Sequence, residues 1–115
     1  MAFHRLQQTS DDDVQKIHLN NGQTTVVVDD KDIVFINAEH VYINVHIDNK
    51  EKVVIRQSLS DMVALLDSEK FIQPHRSYLV NIHHIIAYDS HQLQVKNEVI
   101  PISRSRKEDV LKRLK

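Results

Sequence analysis

The chain has 115 residues, contains no cysteine and has a single glycine. This length suits one domain with a modest core, and the lack of cysteine excludes disulfides, thiolate metal sites and cysteine nucleophiles. One glycine is too few for a phosphate-cradling glycine loop, and no apolar run reaches the ~18 residues that a membrane span needs.

Charge is distributed unevenly along the chain. Residues 1–68 hold 6 Lys/Arg and 11 Asp/Glu, a balance of −5, whereas residues 69–115 hold 9 and 5, a balance of +4. A basic half of this kind suits a phosphate backbone. Charge alone, however, favours a solvated helix face for the C-terminal cluster.

The first predicted elements are an N-terminal tail and a hairpin. Residues 1–13 are polar, end in three aspartates and show no period, which predicts a flexible tail or the stub of a linker. Residues 14–115 are then the folded domain. A β pattern runs from Val14 to Leu19, stops at the turn signal Asn20–Gly22 and returns through the β-branched run Gln23–Val28.

Three further strands are predicted before the first helix. Ile33–Ile36 is a short continuous apolar run, which is typical of a strand buried on both faces. Val41–Ile47 alternates apolar and polar residues and is predicted to be a half-exposed antiparallel strand. Lys52–Arg56 is predicted to pair back onto it.

The first helix begins with a capping-box sequence at Ser58–Asp61 and is expected to end near Ser68. Its apolar stripe comprises Leu59, Met62, Val63, Leu65 and Leu66.

The stretch Phe71–Ile85 carries a polar insert, Pro74–Ser77, between apolar anchors. Proline fixes its own φ and keeps the preceding residue extended, so the strand is predicted to end at Gln73–Pro74 and the chain to turn outward. Arg76 then lies at the tip of a loop, which is a common way to present a guanidinium to a partner.

The C-terminal part predicts a hairpin of Ile85–Tyr88 with Leu93–Val95, a strand over Val99–Ile102 and a second helix. A second capping-box sequence, Ser105–Glu108, opens that helix. Arg104 follows the last strand, in a setting similar to that of Arg76. The elements together predict a mostly antiparallel β domain with two short helices.

Other functions have weak support in the sequence. Eight histidines, including the pair His83–His84, invite a metal site, but no helical ligand pair is present and we predict no metal or cofactor. No nucleophile elbow or cofactor loop indicates an enzyme. The main alternative is a peptide-binding β module that uses Val41–Ile47 as an exposed edge strand.

Two motifs resemble a known family. The string Pro74–Asn81, followed some two dozen residues later by Ile100–Arg104, resembles the LytTR-type DNA-binding domain of bacterial transcription regulators. The runs Asp32–Ile36 and Ser58–Leu59 match in order and spacing, so that the resemblance covers about residues 14–115.

The resemblance implies an elongated fold of small antiparallel β-sheets, whose loops enter successive major grooves of bent duplex DNA. Base contacts are implied at His40, with a register that could slip to Val41, and at Arg76 and Arg104. An arginine bonds guanine O6 and N7 together, and lysine does not copy this planar fork.

Other residues are expected to contact the DNA backbone or to support the loops. Lys70, Ser103, Arg106 and Lys107 are plausible phosphate contacts. The supporting residues of the motif are His75, Ser77, Tyr78 and Asn81.

The expected partner is double-stranded DNA with paired direct-repeat half-sites, in the bacterial cytoplasm. The resemblance also implies a signal input outside this chain, either a receiver domain or a regulatory membrane protein.

Overall fold

The computed structural model describes residues 14–115, and the predicted tail, residues 1–13, lies outside the described residues. The strands are β1 (Lys16–Asn20), β2 (Thr25–Asp29), β3 (Ile33–Glu39), β4 (Tyr42–Ile47), β5 (Val53–Ile55), β6 (Phe71–His75), β7 (Tyr78–Asn81), β8 (Ile85–Tyr88), β9 (Gln92–Val95) and β10 (Glu98–Pro101). The helices are α1 (Leu59–Leu65) and α2 (Lys107–Leu114). Short 3-10 turns cover Asp30–Asp32, Ile82–His84 and Arg104–Arg106.

The strands form small antiparallel sheets, which confirms the predicted fold class. A five-stranded sheet has the order β5-β4-β3-β7-β6, β1 pairs with β2, and a three-stranded sheet has the order β10-β9-β8. The described part of the molecule measures 49 × 40 × 25 Å along its principal axes.

The five-stranded sheet lies between two hydrophobic cores. Ile33 and Ile36 face the first core, which β1, β2 and α1 cover, whereas Val34 and Phe35 face the second, which the three-stranded sheet and α2 cover. The apolar run Ile33–Ile36 is therefore buried on both sides, as predicted. Continuous apolar sequence is what a central strand between two covering layers requires.

The predicted hairpins also form. Asn21 and Gly22 lie in the β1–β2 connection, where Gly22 takes a φ of 101° that suits glycine. β8 and β9 pair across residues 89–91, as the sequence predicts.

β4 is not an edge strand, which contradicts the premise of the peptide-binding alternative. It pairs with β3 on one side and with β5 on the other, through Ile43, Asn44 and Val45. Val41 lies in the turn before the strand and is 53% exposed. The outer strands of this sheet are β5 and β6.

Pro74 does not end its strand, and that prediction is wrong. β6 continues to His75, and its pairing with β7 shifts register between Ile72 and His75. β6 is an edge strand, and a proline within a strand is tolerated at an edge or at a bulge, where its missing N–H is not needed.

The two predicted capping boxes behave differently. Ser58 Oγ accepts a hydrogen bond from Asp61 N at 3.1 Å, which confirms the cap at Ser58. The α1 helix ends at Leu65, three residues before Ser68, and Val63 and Leu65 are exposed, so they do not belong to its buried face.

The second capping box does not form. Ser105 lies inside the 3-10 turn Arg104–Arg106, and α2 begins at Lys107 without a side-chain cap. Val110 is buried in the second core, and Leu114 packs against that core.

Candidate nucleic-acid interface

Three loops that are far apart in sequence meet at one end of the five-stranded sheet, which we call the loop end. The first is the β3–β4 turn with His40, the second is the β6–β7 turn with Arg76, and the third follows β10 and contains Arg104. Two backbone hydrogen bonds join their flanks: Ala38 N donates to Ser77 O at 2.9 Å, and Ser103 N donates to Pro74 O at 2.8 Å.

The Arg76 loop is a two-residue turn, Arg76–Ser77, between β6 and β7. His75 Nδ1 accepts a hydrogen bond from Ser77 N at 3.1 Å, and Gln73 Nε2 donates to Arg76 O at 3.4 Å. The His75 and Tyr78 rings pack in a T-shaped arrangement, with centroids 5.6 Å apart. Neighbouring side chains therefore hold the backbone of the turn, while the Arg76 side chain is exposed.

The His40 loop is also a tight turn. His40 is exposed and has a φ of 60°, a left-handed conformation that histidine adopts more readily than most residues. Asn44 Nδ2 donates to Glu39 Oε1 at 3.0 Å across the base of the hairpin. This bond fixes the strands that carry His40.

Arg104 opens the 3-10 turn after β10 and is exposed. The turn is closed by Arg106 N, which donates to Ser103 O at 3.1 Å. Ser103 Oγ is buried and has no hydrogen-bond partner among the described residues. Arg106 and Lys107 follow directly and are half-buried, which brings further positive charge to the same loop.

Within residues 14–115, no carboxylate pairs with the guanidinium groups of Arg76 and Arg104. Within residues 14–115 the ion pairs are Lys16–Asp29, Lys70–Asp30 and Lys96–Asp48. None of them involves Arg76 or Arg104. An exposed guanidinium without a carboxylate partner keeps its five donors available for an external acceptor.

Two of the predicted site residues, Lys70 and Asn81, lie elsewhere, at the opposite end of the sheet, which we call the far end. Lys70 precedes β6, and its Nζ lies 3.2 Å from Oδ2 of the buried Asp30. The structure engages the Lys70 charge with a buried carboxylate, and the predicted phosphate contact of Lys70 stays a prediction.

Asn81 also lies at the far end and is only 2% exposed. Its Nδ2 donates to Ile33 O at 2.9 Å and to Asp30 O at 3.4 Å, and its Oδ1 accepts from His83 N at 3.0 Å. Asn81 is a structural support, but of this end of the sheet and not of the Arg76 loop.

Sequence reasoning missed the residues that hold the loops. The Gln73 and Asn44 side chains donate hydrogen bonds to Arg76 O and Glu39 Oε1, and Pro74 O accepts a hydrogen bond from Ser103 N. Asn44 had a usable signal, since a two-residue turn after Glu39 puts both side chains on neighbouring strands. The bond from Ser103 to Pro74 had none, because it joins two backbones 29 residues apart.

Neither a metal site nor a membrane-spanning helix appears in the part of the chain that the structure describes. No group of three or more His, Asp or Glu side chains there is arranged to hold an ion. His84 Nε2 instead lies 2.8 Å from Lys31 O. No helix there is long and apolar enough to cross a membrane.

Residues 14–115 form a β domain that presents arginines without an ion-pair partner among those residues on adjoining loops, a class suited to binding an anionic polymer. The family model described as "LytTr DNA-binding domain" matches residues 12–115. The chain therefore belongs to the LytTr DNA-binding domain family, and it is a DNA-binding domain. The predicted resemblance is confirmed.

A solved structure agrees with this assignment. The LytTr DNA-binding domain of a protein described as a methyl-accepting/DNA response regulator from Bacillus cereus superposes with a TM-score of 0.74 at 25% identity. The superposition covers 86% of this chain and 95% of that one. None of the curated proteins compared with the chain is similar enough to count as a match. The family comprises DNA-binding domains and not enzymes.

Proposed function

We propose that the domain reads duplex DNA with its loop end, as the DNA-binding part of a bacterial transcription regulator that acts in the cytoplasm. One observation carries the proposal. The hydrogen bond from Ser103 N to Pro74 O, at 2.8 Å, holds the loops of Arg76 and Arg104 side by side although they are far apart in sequence.

The proposed base contacts are His40, Arg76 and Arg104. Each arginine suits bidentate bonding to guanine O6 and N7, which discriminates against a wrong base by about 1–3 kcal/mol. Arg106, Lys107 and Ser103 are proposed to contact phosphates, which position the domain without reading sequence. Of these three residues, Arg106 and Lys107 supply the charge, whereas the Ser103 hydroxyl is buried and contacts a phosphate only if its loop shifts on binding.

The spacing of the loops suggests how they divide the grooves. Neighbouring strands are ~4.8 Å apart, so the three strand steps from Ser103 through Pro74 and Ser77 to Ala38 span roughly 15 Å. Successive major grooves on one face of straight B-DNA are ~34 Å apart. We assign them to the outer loops, those of His40 and Arg104, with Arg76 between them. The side chains and a bend of the duplex toward the protein supply the remaining distance.

The proposed operator consists of paired direct-repeat half-sites, each bound by one domain. The signal is proposed to arrive from outside this chain, through a receiver domain or a regulatory membrane protein. The Bacillus cereus relative, described as a response regulator, supports an input of the first kind.

Selection from a random duplex pool, followed by gel shifts at controlled salt, tests the proposal. The chain is expected to select one sequence, and Arg76→Ala and Arg104→Ala are each expected to lose about 1–3 kcal/mol of preference for it. Their circular dichroism should match that of the parent, because both side chains are exposed.

Lys107→Ala is the companion variant, expected to weaken binding alike on every duplex because a phosphate contact carries no sequence information. The base-contact assignment fails if both arginine variants fold and select the same duplex with full affinity.

A further inference from the structure

The β8–β9 turn, residues Asp89–His91, lies beside the loop end. His91 O accepts a hydrogen bond from Ile102 N at 2.8 Å, and the next residue, Ser103, donates to Pro74 O at 2.8 Å. The strand segment that carries Arg104 therefore has the Arg76 loop on one side and this turn on the other. The turn extends the row of loops by one strand beyond Arg104.

Asp89 fixes the shape of the turn. Its Oδ1 accepts hydrogen bonds from His91 N at 2.7 Å and from Gln92 N at 3.0 Å. These two backbone donors lower the pKa of the Asp89 carboxyl. The Asp89 carboxylate stays charged, and its Oδ1 accepts both hydrogen bonds within the turn.

The His91 side chain is exposed, and one of its ring nitrogens has a hydrogen-bond partner within the turn. Ser90 Oγ lies 3.1 Å from His91 Nδ1. A hydroxyl that donates to Nδ1 leaves the ring hydrogen on Nε2. In the tautomer in which the Ser90 hydroxyl donates to Nδ1, His91 offers its Nε2–H to a partner at the same end of the molecule as Arg104.

We propose that the β8–β9 turn is a fourth DNA-contacting loop, in which His91 donates to a backbone phosphate beside the groove that Arg104 reads. The inference rests on the proposed function, because it extends the same surface. A phosphate is favoured over a base for two reasons. A single ring donor has no bidentate fork to recognise a base edge, and the Asp89 charge two residues away disfavours deep entry into a groove.

Anisotropy titrations of the whole chain over a salt series test this contact, with the selected duplex and an unrelated duplex as probes. His91→Ala is expected to weaken binding to both duplexes by about threefold to tenfold, the worth of one hydrogen bond. His91→Lys is expected to steepen the slope of log K against log salt by about 0.9, because it adds one cation at a phosphate.

His83→Lys is the matched control. His83 is an exposed histidine at the far end of the five-stranded sheet, so a lysine there adds the same charge away from the loop end and should leave the slope unchanged. Asp89→Asn keeps an oxygen for the turn and removes the local negative charge, so it should tighten binding to both duplexes.

The proposal is overturned if His91→Ala binds both duplexes like the parent, or if His91→Lys has the same salt slope as His83→Lys. A loss confined to the selected duplex would also overturn it, since this would indicate a base contact. Arg104→Ala separates this failure from that of the proposed function. If that variant loses site selection while the His91 variants behave like the parent, only the fourth contact is wrong.

Discussion

The two ends of the five-stranded sheet use polar residues in opposite ways. At the far end, Asp30, Lys70 and Asn81 bond to one another or to the backbone, and Asp30 and Asn81 are buried. At the loop end, Arg76 and Arg104 are exposed and no ion pair within residues 14–115 includes them.

This difference shows which cations stabilise the fold and which are available to a partner. Removing a cation that pairs with a buried carboxylate destabilises the fold, because the carboxylate is left buried without a partner charge. An exposed guanidinium contributes little to the stability of the fold, so its removal should change binding to a partner instead. Substitutions at the two ends should therefore affect different measurements.

The largest effect is expected from Asn81→Ala at the far end. The change leaves Ile33 O, Asp30 O and His83 N without their side-chain partner. Unfolding in urea should show a loss of about 2–4 kcal/mol, because buried polar groups are left unsatisfied. Under conditions in which the variant is folded, it should still select the same duplex as the parent. A change in base preference would instead indicate that Asn81 belongs to the DNA-contacting surface.

Lys70→Met should come next, with a loss of about 1.5–3 kcal/mol in the free energy of unfolding, because Asp30 loses its cation. Binding measured over a salt series separates this role from a phosphate contact. The slope against log salt should equal that of the parent. A slope shallower by about 0.9 would instead indicate that Lys70 touches DNA.

Arg76→Lys and Arg104→Lys test the loop end with a smaller change. Lysine keeps the charge but lacks the planar fork. Each variant should therefore lose about 1–2 kcal/mol of its preference for the selected duplex over a duplex in which the contacted guanine is replaced by another base. Affinity for unrelated DNA should stay close to that of the parent. Equal discrimination by lysine and arginine would exclude bidentate reading at that position.

The smallest effect concerns His46, which lies on the sheet between the two ends. Its ring stacks on Phe35 with centroids 4.0 Å apart, and burial lowers its pKa, with a smaller contribution from Lys52. The unfolded chain therefore binds a proton more readily than the folded one, so stability should fall as the pH drops below the ordinary histidine pKa of ~6.5. Urea unfolding of His46→Gln should show a weaker pH dependence in this range, and an identical profile would contradict the assignment.

Sequence reasoning succeeded where local pattern decides structure. The apolar run Ile33–Ile36, the Ser58 cap and the turns after Asn20 and Tyr88 all depend on neighbours in the chain, and all agree with the structure. It failed where tertiary context decides. Pro74 continues β6 because that strand is an edge.

The candidate site shows the same limit. Lys70 and Arg76 are both cations close to the same motif, and sequence alone does not show which of them pairs with a carboxylate inside the fold. The difference comes from Asp30, which lies 40 residues before Lys70 in the chain and meets it only in the fold. The motif predicted the loops that we propose as DNA contacts, whereas burial and ion pairing distinguish the side chains engaged within the fold from those exposed to a partner.

Amide chemical-shift mapping with the selected duplex tests the central claim most directly. DNA is expected to shift the resonances around His40, Arg76 and Arg104 and to leave those around Lys70 and Asn81 in place. The account is contradicted if the largest shifts fall at the far end, or on the exposed side of β5, while the loop end stays unchanged.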